Sequence, residues 1–425
     1  MLTPAAELAI DGTFYIDGML VRTSVGINRG KITGIRKNIE AAERRVFDNA
    51  IILPGAVDLH VHFREPGLTH KEDITTGSLA AAFGGVTCVG DMPNTVPPTI
   101  SPERVEKKIE MFREKSYVDF AVYAGLLKGV RVREMAKKAS GFKMFMSSST
   151  GDLLCDDPEM QRSLIEAAAD TGKPVMVHAE EESLRNRIAE SSLRDHYRAR
   201  PPACEIAAVT RLIDIASSEH SPRIHVLHAT LRDVLERKHP PNLTFEVTPH
   251  HLLLDCDMHT GSMGKVNPPL RRRDERVALQ RAVFAGLADT FGSDHSPHTI
   301  EEKGDAFDYA PSGLPGVETM FPLLLNMTAS GELRLETLVK MMCEKPAEIL
   351  GVRKGRISEG YDADMVVINM KRFSSIRGES LHSKCRWTPY EGFTGIFPQA
   401  VFLRGMELVK GGSIEGKPSG RKVAV

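Results

Sequence analysis

Between residues 56 and 294, eight short apolar runs alternate with stretches of helical periodicity, and this alternation limits the fold more than any other feature of the chain. The runs at 56–62, 86–92, 118–124, 142–146, 174–178, 223–228, 244–248 and 290–294 read as strands. Helices are expected over 74–83, 102–115, 132–138, 158–170, 204–218, 231–238, 274–288, 316–328 and 336–350. Strands buried on both faces read as short continuous apolar runs, and eight of them alternating with helices predict a (β/α)8 barrel. An open doubly wound sheet is the competing architecture. The position of the polar residues separates the two, because a barrel gathers its chemistry at the C-terminal ends of its strands.

The flanks have a different texture. Residues 1–53 hold β segments broken by Asp-Gly and Arg-Gly turn signals, and a similar pattern returns over 351–425. Neither end is large enough to bury a core alone, so the two are expected to form one composite β-sandwich domain beside a barrel spanning 54–350.

Polar residues fall at the predicted strand ends. The segment Leu53-Pro-Gly-Ala-Val-Asp-Leu-His-Val-His-Phe-Arg places His60 and His62 on one face of the first strand, because alternate side chains share a face. Asn94 follows the second strand, Lys143 lies on the fourth, and His178, His228 and Asp294 end the fifth, sixth and eighth. Any one of these has a bland alternative: a hydrogen-bonded histidine, a lysine snorkelling past Phe142 and Met144, an aspartate capping a helix. Their coincidence at one end of one sheet favours a metal site, since four histidines and an aspartate suit divalent ions, Zn2+ above all. Five ligands exceed one tetrahedral ion, and two ions roughly 3.5–4 Å apart need a bridging anion. Lys143 supplies one if an apolar, cation-rich pocket lowers its pKa and the free amine captures CO2 as a carbamate.

Composition narrows the partners. A formal net charge of −1 over 425 residues, with no long run of like charge, argues against nucleic acid and favours a small molecule. No apolar run reaches about 18 residues, so no membrane span is expected, and the N-terminus lacks the pattern of a signal peptide. Six dispersed cysteines without a Cys-x-x-Cys pair suit the reducing cytoplasm.

These residues resemble the amidohydrolase superfamily, and within it the dihydroorotase family. The similarity rests on Gly55-Ala-Val-Asp-Leu-His-Val-His-Phe-Arg-Glu-Pro-Gly, Gly90-Asp-Met-Pro-Asn-Thr, Gly141-Phe-Lys-Met-Phe-Met, Val177-His-Ala-Glu, Lys265-Val-Asn-Pro-Pro-Leu-Arg and Gly292-Ser-Asp-His-Ser-Pro-His. The Gly360-Tyr-Asp-Ala-Asp-Met-Val-Val segment is similar to the returning β domain of that superfamily. The resemblance implies a binuclear site of His60, His62, carboxylated Lys143, His178, His228 and Asp294, with Asp152 as the alternative bridge. It implies substrate recognition by His62, Arg64, Asn94, Asn267 and His298, and by the backbone at Ser312 and Gly313. The implied reaction is reversible hydrolysis of the cyclic amide of (S)-dihydroorotate to N-carbamoyl-L-aspartate in pyrimidine biosynthesis. Water activated between the metals would attack, with Asp294 as general base and then acid.

Allantoinases share the Phe-Arg and Met-Pro-Asn motifs, but typically place a cysteine where this chain has His298; dihydropyrimidinases generally lack an arginine at the place of Arg64. Another cyclic amidase on the same scaffold, and a non-catalytic homologue serving as an assembly partner, are the rival readings. A homodimer and association with other pyrimidine-pathway enzymes are both compatible with the resemblance. His295 is read as a supporting or structural histidine, and His250-His251 as orienting the seventh strand end. The 147–157 segment is read equally as a mobile loop over the site and as an ordinary surface loop, and 197–205 as a connector between helices.

Overall fold

In the computed structural model, which describes residues 6–148, 152–258 and 260–423, the central strands form one sheet in sequential order. They run Ala56–Val61, Val86–Asp91, Asp119–Gly125, Gly141–Phe145, Val175–His178, Ile224–Val226, Leu243–Val247 and Thr290–Phe291. Every neighbouring pair is parallel. The first strand returns to the eighth: Val61 bridges His295 in parallel, and the His62 N–H donates to His295 O at 2.8 Å. Buried Asp58 reinforces the seam, its Oδ1 accepting from the His60 N–H at 3.1 Å and the Ser293 N–H at 3.2 Å. The sheet is therefore a closed (β/α)8 barrel, and the open-sheet alternative is set aside.

Local chemistry explains where several outer helices begin. Asp73 accepts from the Thr76 N–H to cap Ile74–Phe83, and Ser101 caps Pro102–Lys115 with proline at the first turn. Asp157 and Pro158 open Pro158–Ala169 in the same way. Some expectations required correction. The 197–205 stretch is not a plain connector, because Leu193–Ala199 is itself a helix, capped by Ser192, and Pro202–Ala216 follows after a short break. The helix expected over 231–238 shrinks to Arg232–Leu235, which has no side-chain cap. The stretch 336–350 is interrupted by a π turn, Lys340–Glu344, immediately before Pro346, whose missing N–H cannot continue an α-helical ladder.

The chain ends join in an eight-stranded mixed sheet. Its order is Ser413–Ile414, Met406–Lys410, Ala400–Leu403, Met365–Ile368, Ala41–Pro54, Ala6–Ile16, Met19–Asn28 and Lys31–Arg36. The Asp17-Gly18 turn, both residues at positive φ (45° and 85°), makes the first hairpin, as its sequence suggests. Ile10, Phe14, Val25 and Ile27 from the N-terminal strands share one core with Met365, Val367, Ala400 and Phe402 from the C-terminal ones. Each end thus buries the apolar face of the other. Ala41–Pro54 leads directly into the first barrel strand, so the two domains are continuous at the strand that carries His60 and His62.

Candidate metal and active site

The C-terminal strand ends line one cavity. His60, His62, Arg64, Asn94, Lys143, Phe145, His178, His228, Val266, Asn267, Asp294, Ser296, Ser312 and Gly313 surround it. Of the residues given a metal or substrate role by the resemblance, His298 alone among the described residues lies behind this wall, fully buried, with its Nε2 3.3 Å from Arg64 Nη2. Asp152, the alternative bridge, is exposed and lines none of the cavity. Residues 149–151 of the 147–157 segment lie outside the described residues; Ser147 and Ser148 are held by Glu182 and Arg200.

Three of the site's side chains end segments at positive φ: Arg64 at 60°, His228 at 40° and Asp294 at 43°. This left-handed conformation is costly for residues with a Cβ and recurs where the backbone aims a functional group. It also explains why the sixth and eighth strands stop at Val226 and Phe291, short of the expected ends.

The histidine tautomers show where lone pairs point. His60 Nδ1 donates to Glu246 Oε1 at 2.8 Å, and His62 Nδ1 donates to Asn94 Oδ1 at 2.6 Å. Both Nε2 atoms then face inward, 3.4 Å from each other and 3.2 and 3.3 Å from Asp294 Oδ1. Two ring nitrogens and a carboxylate oxygen converge on one point. A cation at that point is within reach of all three, and these donors suit a divalent metal. Opposite them, His178 Nε2 donates to Glu180 Oε2 at 2.8 Å, turning Nδ1 toward His228 Nε2 at 3.0 Å. His228 Nδ1 is buried without a hydrogen-bond partner among the described residues. The residues present therefore fit a divalent metal site.

Burial governs the protonation states. It pushes His62 down to about 3 and His178 below its ordinary value, so both imidazoles are neutral at pH 7. Burial alone would raise the Asp294 carboxyl, but His60 and His62 outweigh it and hold the group below the usual carboxylate range. Lys143 is brought down to about 7 by burial, which Asp294 and Glu246 only partly offset, so much of it is free amine near neutrality.

Sequence reasoning missed Glu246, Glu180 and Arg200. Glu246 is a fully buried carboxylate in the middle of the seventh strand; besides His60 it accepts the His228 N–H at 3.1 Å. Its pKa falls to about 2, since His60 and His225 overcome the burial that would raise it. A glutamate inside Leu243-Thr-Phe-Glu-Val was the available signal. Glu180 is likewise buried and held by Arg200 Nη1 at 2.5 Å. Carboxylates of this kind fix the tautomer of a metal-binding histidine and raise its basicity. Glu246→Gln is accordingly expected to weaken metal retention by about 10-fold or more, measured as residual metal after dialysis against graded chelator. Retention equal to wild type would show that His60 needs no charged partner.

Two further histidines have clear partners. His251 Nδ1 accepts from Thr248 and its Nε2 donates to Pro268 O at 3.0 Å, so it fastens the seventh strand end to the Asn267 segment. His295 Nδ1 accepts the Gly316 N–H at 3.1 Å, and its Nε2 faces Glu72 at 3.3 Å.

Comparison with known proteins gives a consistent picture. The amidohydrolase family model matches residues 51–406. A dihydroorotase from Methanothermobacter thermautotrophicus is 38% identical over 405 residues, covering 92% of both chains. One from Thermoplasma volcanium is 37% identical over 98% of both. Among solved structures, the L-hydantoinase (dihydropyrimidinase) from Arthrobacter aurescens superposes with a TM-score of 0.93 at 26% identity, covering 99% of this chain and all of the other. The dihydropyrimidinase from Brevibacillus agri NCHU1002 gives 0.88 at 25% identity over 98% of each.

Proposed function

The chain belongs to the amidohydrolase family, and from that premise we propose that it opens the ring of (S)-dihydroorotate to N-carbamoyl-L-aspartate and closes it in reverse, the activity of a dihydroorotase. The observation that carries this reading over other cyclic amides is Arg64. The residue is 1% exposed and lines the cavity, its Nε donates to Pro297 O at 3.2 Å, and its Nη1 has no hydrogen-bond partner among the described residues. Burial brings its pKa down to about 10, against the pull of Asp294 and Asp91, so the charge is held at a cost. A substrate carboxylate offsets that cost, because its oxygens match the planar guanidinium fork. Dihydroorotate carries such a carboxylate, whereas the parent hydantoin and dihydropyrimidine rings do not.

His298 lies behind Arg64. Its Nε2 donates to Ser312 O at 3.2 Å and its Nδ1 accepts from Lys71 Nζ at 3.1 Å. Burial, together with Arg64 and Lys71, keeps it neutral. We assign His298 to the carboxylate end of the site through its place behind Arg64 and its bond to Ser312 O, with Asn94, Asn267 and the Ser312-Gly313 backbone along the ring.

His60, His62, His178, His228 and Asp294 would hold two divalent ions, zinc by the nitrogen-rich donor set, with the Lys143 amine capturing CO2 to supply the bridging carbamate. When bound, such ions lower the pKa of water toward about 7 and polarise the scissile carbonyl. Asp294 takes the proton of the attacking water and delivers it to the ring nitrogen as the amide bond breaks; in the reverse direction it takes the proton from the attacking nitrogen. The six cysteines are buried and unpaired, which supports a cytoplasmic setting.

The test is ring opening of dihydroorotate, allantoin and hydantoin side by side, with metal-analysed protein. Turnover of dihydroorotate alone is the expected result, and preference for either other ring overturns the substrate assignment. Arg64→Met is expected to reduce kcat/KM for dihydroorotate by roughly 100-fold, the equivalent of about 3 kcal/mol for a lost buried charge contact. An equal fall on a ring without a carboxylate would remove Arg64 from that role.

A further inference from the structure

The loop that brings Ser312 and Gly313 to the cavity is held from behind by the Lys303 ammonium. Lys303, on the short helix Ile300–Gly304, is fully buried, and its ammonium donates to Lys265 O at 3.1 Å, Pro311 O at 3.0 Å and Gly313 O at 3.2 Å. Three acceptors take all three N–H groups of an ammonium, a number that a neutral amine does not have. The main-chain carbonyl of Lys303 accepts from Ser262 Oγ, and its Nζ lies 5.8 Å from the centre of the Trp387 ring.

Other bonds tie each segment to its surroundings, the Lys265 ammonium to Phe307 O at 2.7 Å and His298 to Ser312 O at 3.2 Å, but Lys303 is the side chain that bonds both at once. Residues 311–313 belong to no helix or strand, and Gly313 reaches the 265 segment through one bond, its N–H donating to Lys265 O at 2.9 Å. Between them, Val266, Asn267, Ser312 and Gly313 form one wall of the cavity. That wall has little room to shift without loss of fit: Gly313 sits at φ +149°, and a Cβ there would lie 2.3 Å from Ser296 O and 2.9 Å from His298 Nε2. No carboxylate pairs with Lys303 among the described residues, and burial together with the Lys265 ammonium brings its pKa down to about 7. A buried charge kept without a counter-ion is costly, and such costs collect where a site needs them.

We propose that Lys303 is a positioning residue of the active site: it locks the Val266-Asn267 and Ser312-Gly313 walls in register and thereby sets how tightly the substrate ring is held. The kinetic half of the argument rests on the reaction proposed above, while the structural half does not. Lys303→Met keeps the length of the side chain and removes every donor. In the full-length, metal-loaded variant, amide hydrogen exchange over 265–267 and 310–314 is expected to quicken about 10-fold or more, with the barrel strands unchanged. For dihydroorotate, KM is expected to rise about 10- to 50-fold while kcat stays within about three-fold.

Lys303→Gln retains two N–H donors and is expected to fall between the two proteins on both scales; it carries the test if the Met variant does not fold. Unchanged exchange in these segments overturns the proposal. So does a fall in kcat at constant KM, which would give Lys303 a role in the transition state instead. If the wild-type protein does not open dihydroorotate, the exchange measurement still decides the structural half, so failure of the substrate assignment is separable from failure of the proposal.

Discussion

Asp294→Asn is expected to retain most of its metal and to lose about 10²- to 10⁴-fold in kcat, the range found when a positioned acid-base group is removed. The side-chain oxygen of asparagine still faces His60 Nε2 and His62 Nε2, which lie 3.2 and 3.3 Å from Asp294 Oδ1 in the wild-type protein. The substitution removes the charge and the capacity to accept a proton. The measurement pairs steady-state ring opening with metal analysis of the same preparation. A kcat within a few-fold of wild type would end the proton-transfer assignment. Parallel loss of metal and activity would reduce Asp294 to a ligand. The positive φ of Asp294 sharpens the choice of variant, because asparagine tolerates the left-handed region better than most residues and adds little backbone strain of its own.

Much of this arrangement can be read from the sequence, because a parallel barrel writes both of its requirements locally. Strands such as Val86–Asp91 and Gly141–Phe145 are buried on both faces and appear as continuous apolar runs. Polar residues at their ends have no packing reason to be there. His60, His62, Lys143, His178, His228 and Asp294 stand out on that ground and line one cavity. What could not be read is what supports them. Glu246 looks like an interruption in an apolar strand until His60 is seen 2.8 Å away, 186 residues distant in sequence. Lys303, within Thr299-Ile-Glu-Glu-Lys-Gly, reads as an ordinary surface lysine; only the folded loop brings three carbonyls around it. The ends of the sixth and eighth strands were misplaced because hydropathy carries no sign of a backbone turning to positive φ at His228 and Asp294.

At the opposite end of the barrel, Lys354→Met is expected to cost about 3–5 kcal/mol of stability, the range for removing one partner of a buried ionic cluster. Lys354 Nζ lies 2.6 Å from Asp119 Oδ2, 3.0 Å from Asp362 Oδ2 and 2.7 Å from Asp364 Oδ2, and its side chain is 2% exposed. These three carboxylates have the geometry of a cation site, and the ammonium serves as their cation. Asp119 opens the third barrel strand, whereas Asp364 precedes the Met365–Ile368 strand of the composite sheet, so the cluster fastens one domain to the other. Arg404 also pairs with Asp119, but it does not reach the other two acids through any ion pair among the described residues. Burial alone would lower the Lys354 pKa, but Asp364 and Asp119 raise it well above the ordinary lysine value. A group whose folded pKa is raised contributes fully below its unfolded pKa and loses that contribution only as pH rises through the folded value. The contribution is therefore complete at pH 7, and the cost of the substitution should show in a denaturant midpoint measured there. Because the cluster lies at the end of the barrel away from His60 and Asp294, the variant that remains folded should keep its kcat. A midpoint near wild type would mean that the acids lose their charge once the ammonium is gone and that packing alone fastens the two domains together.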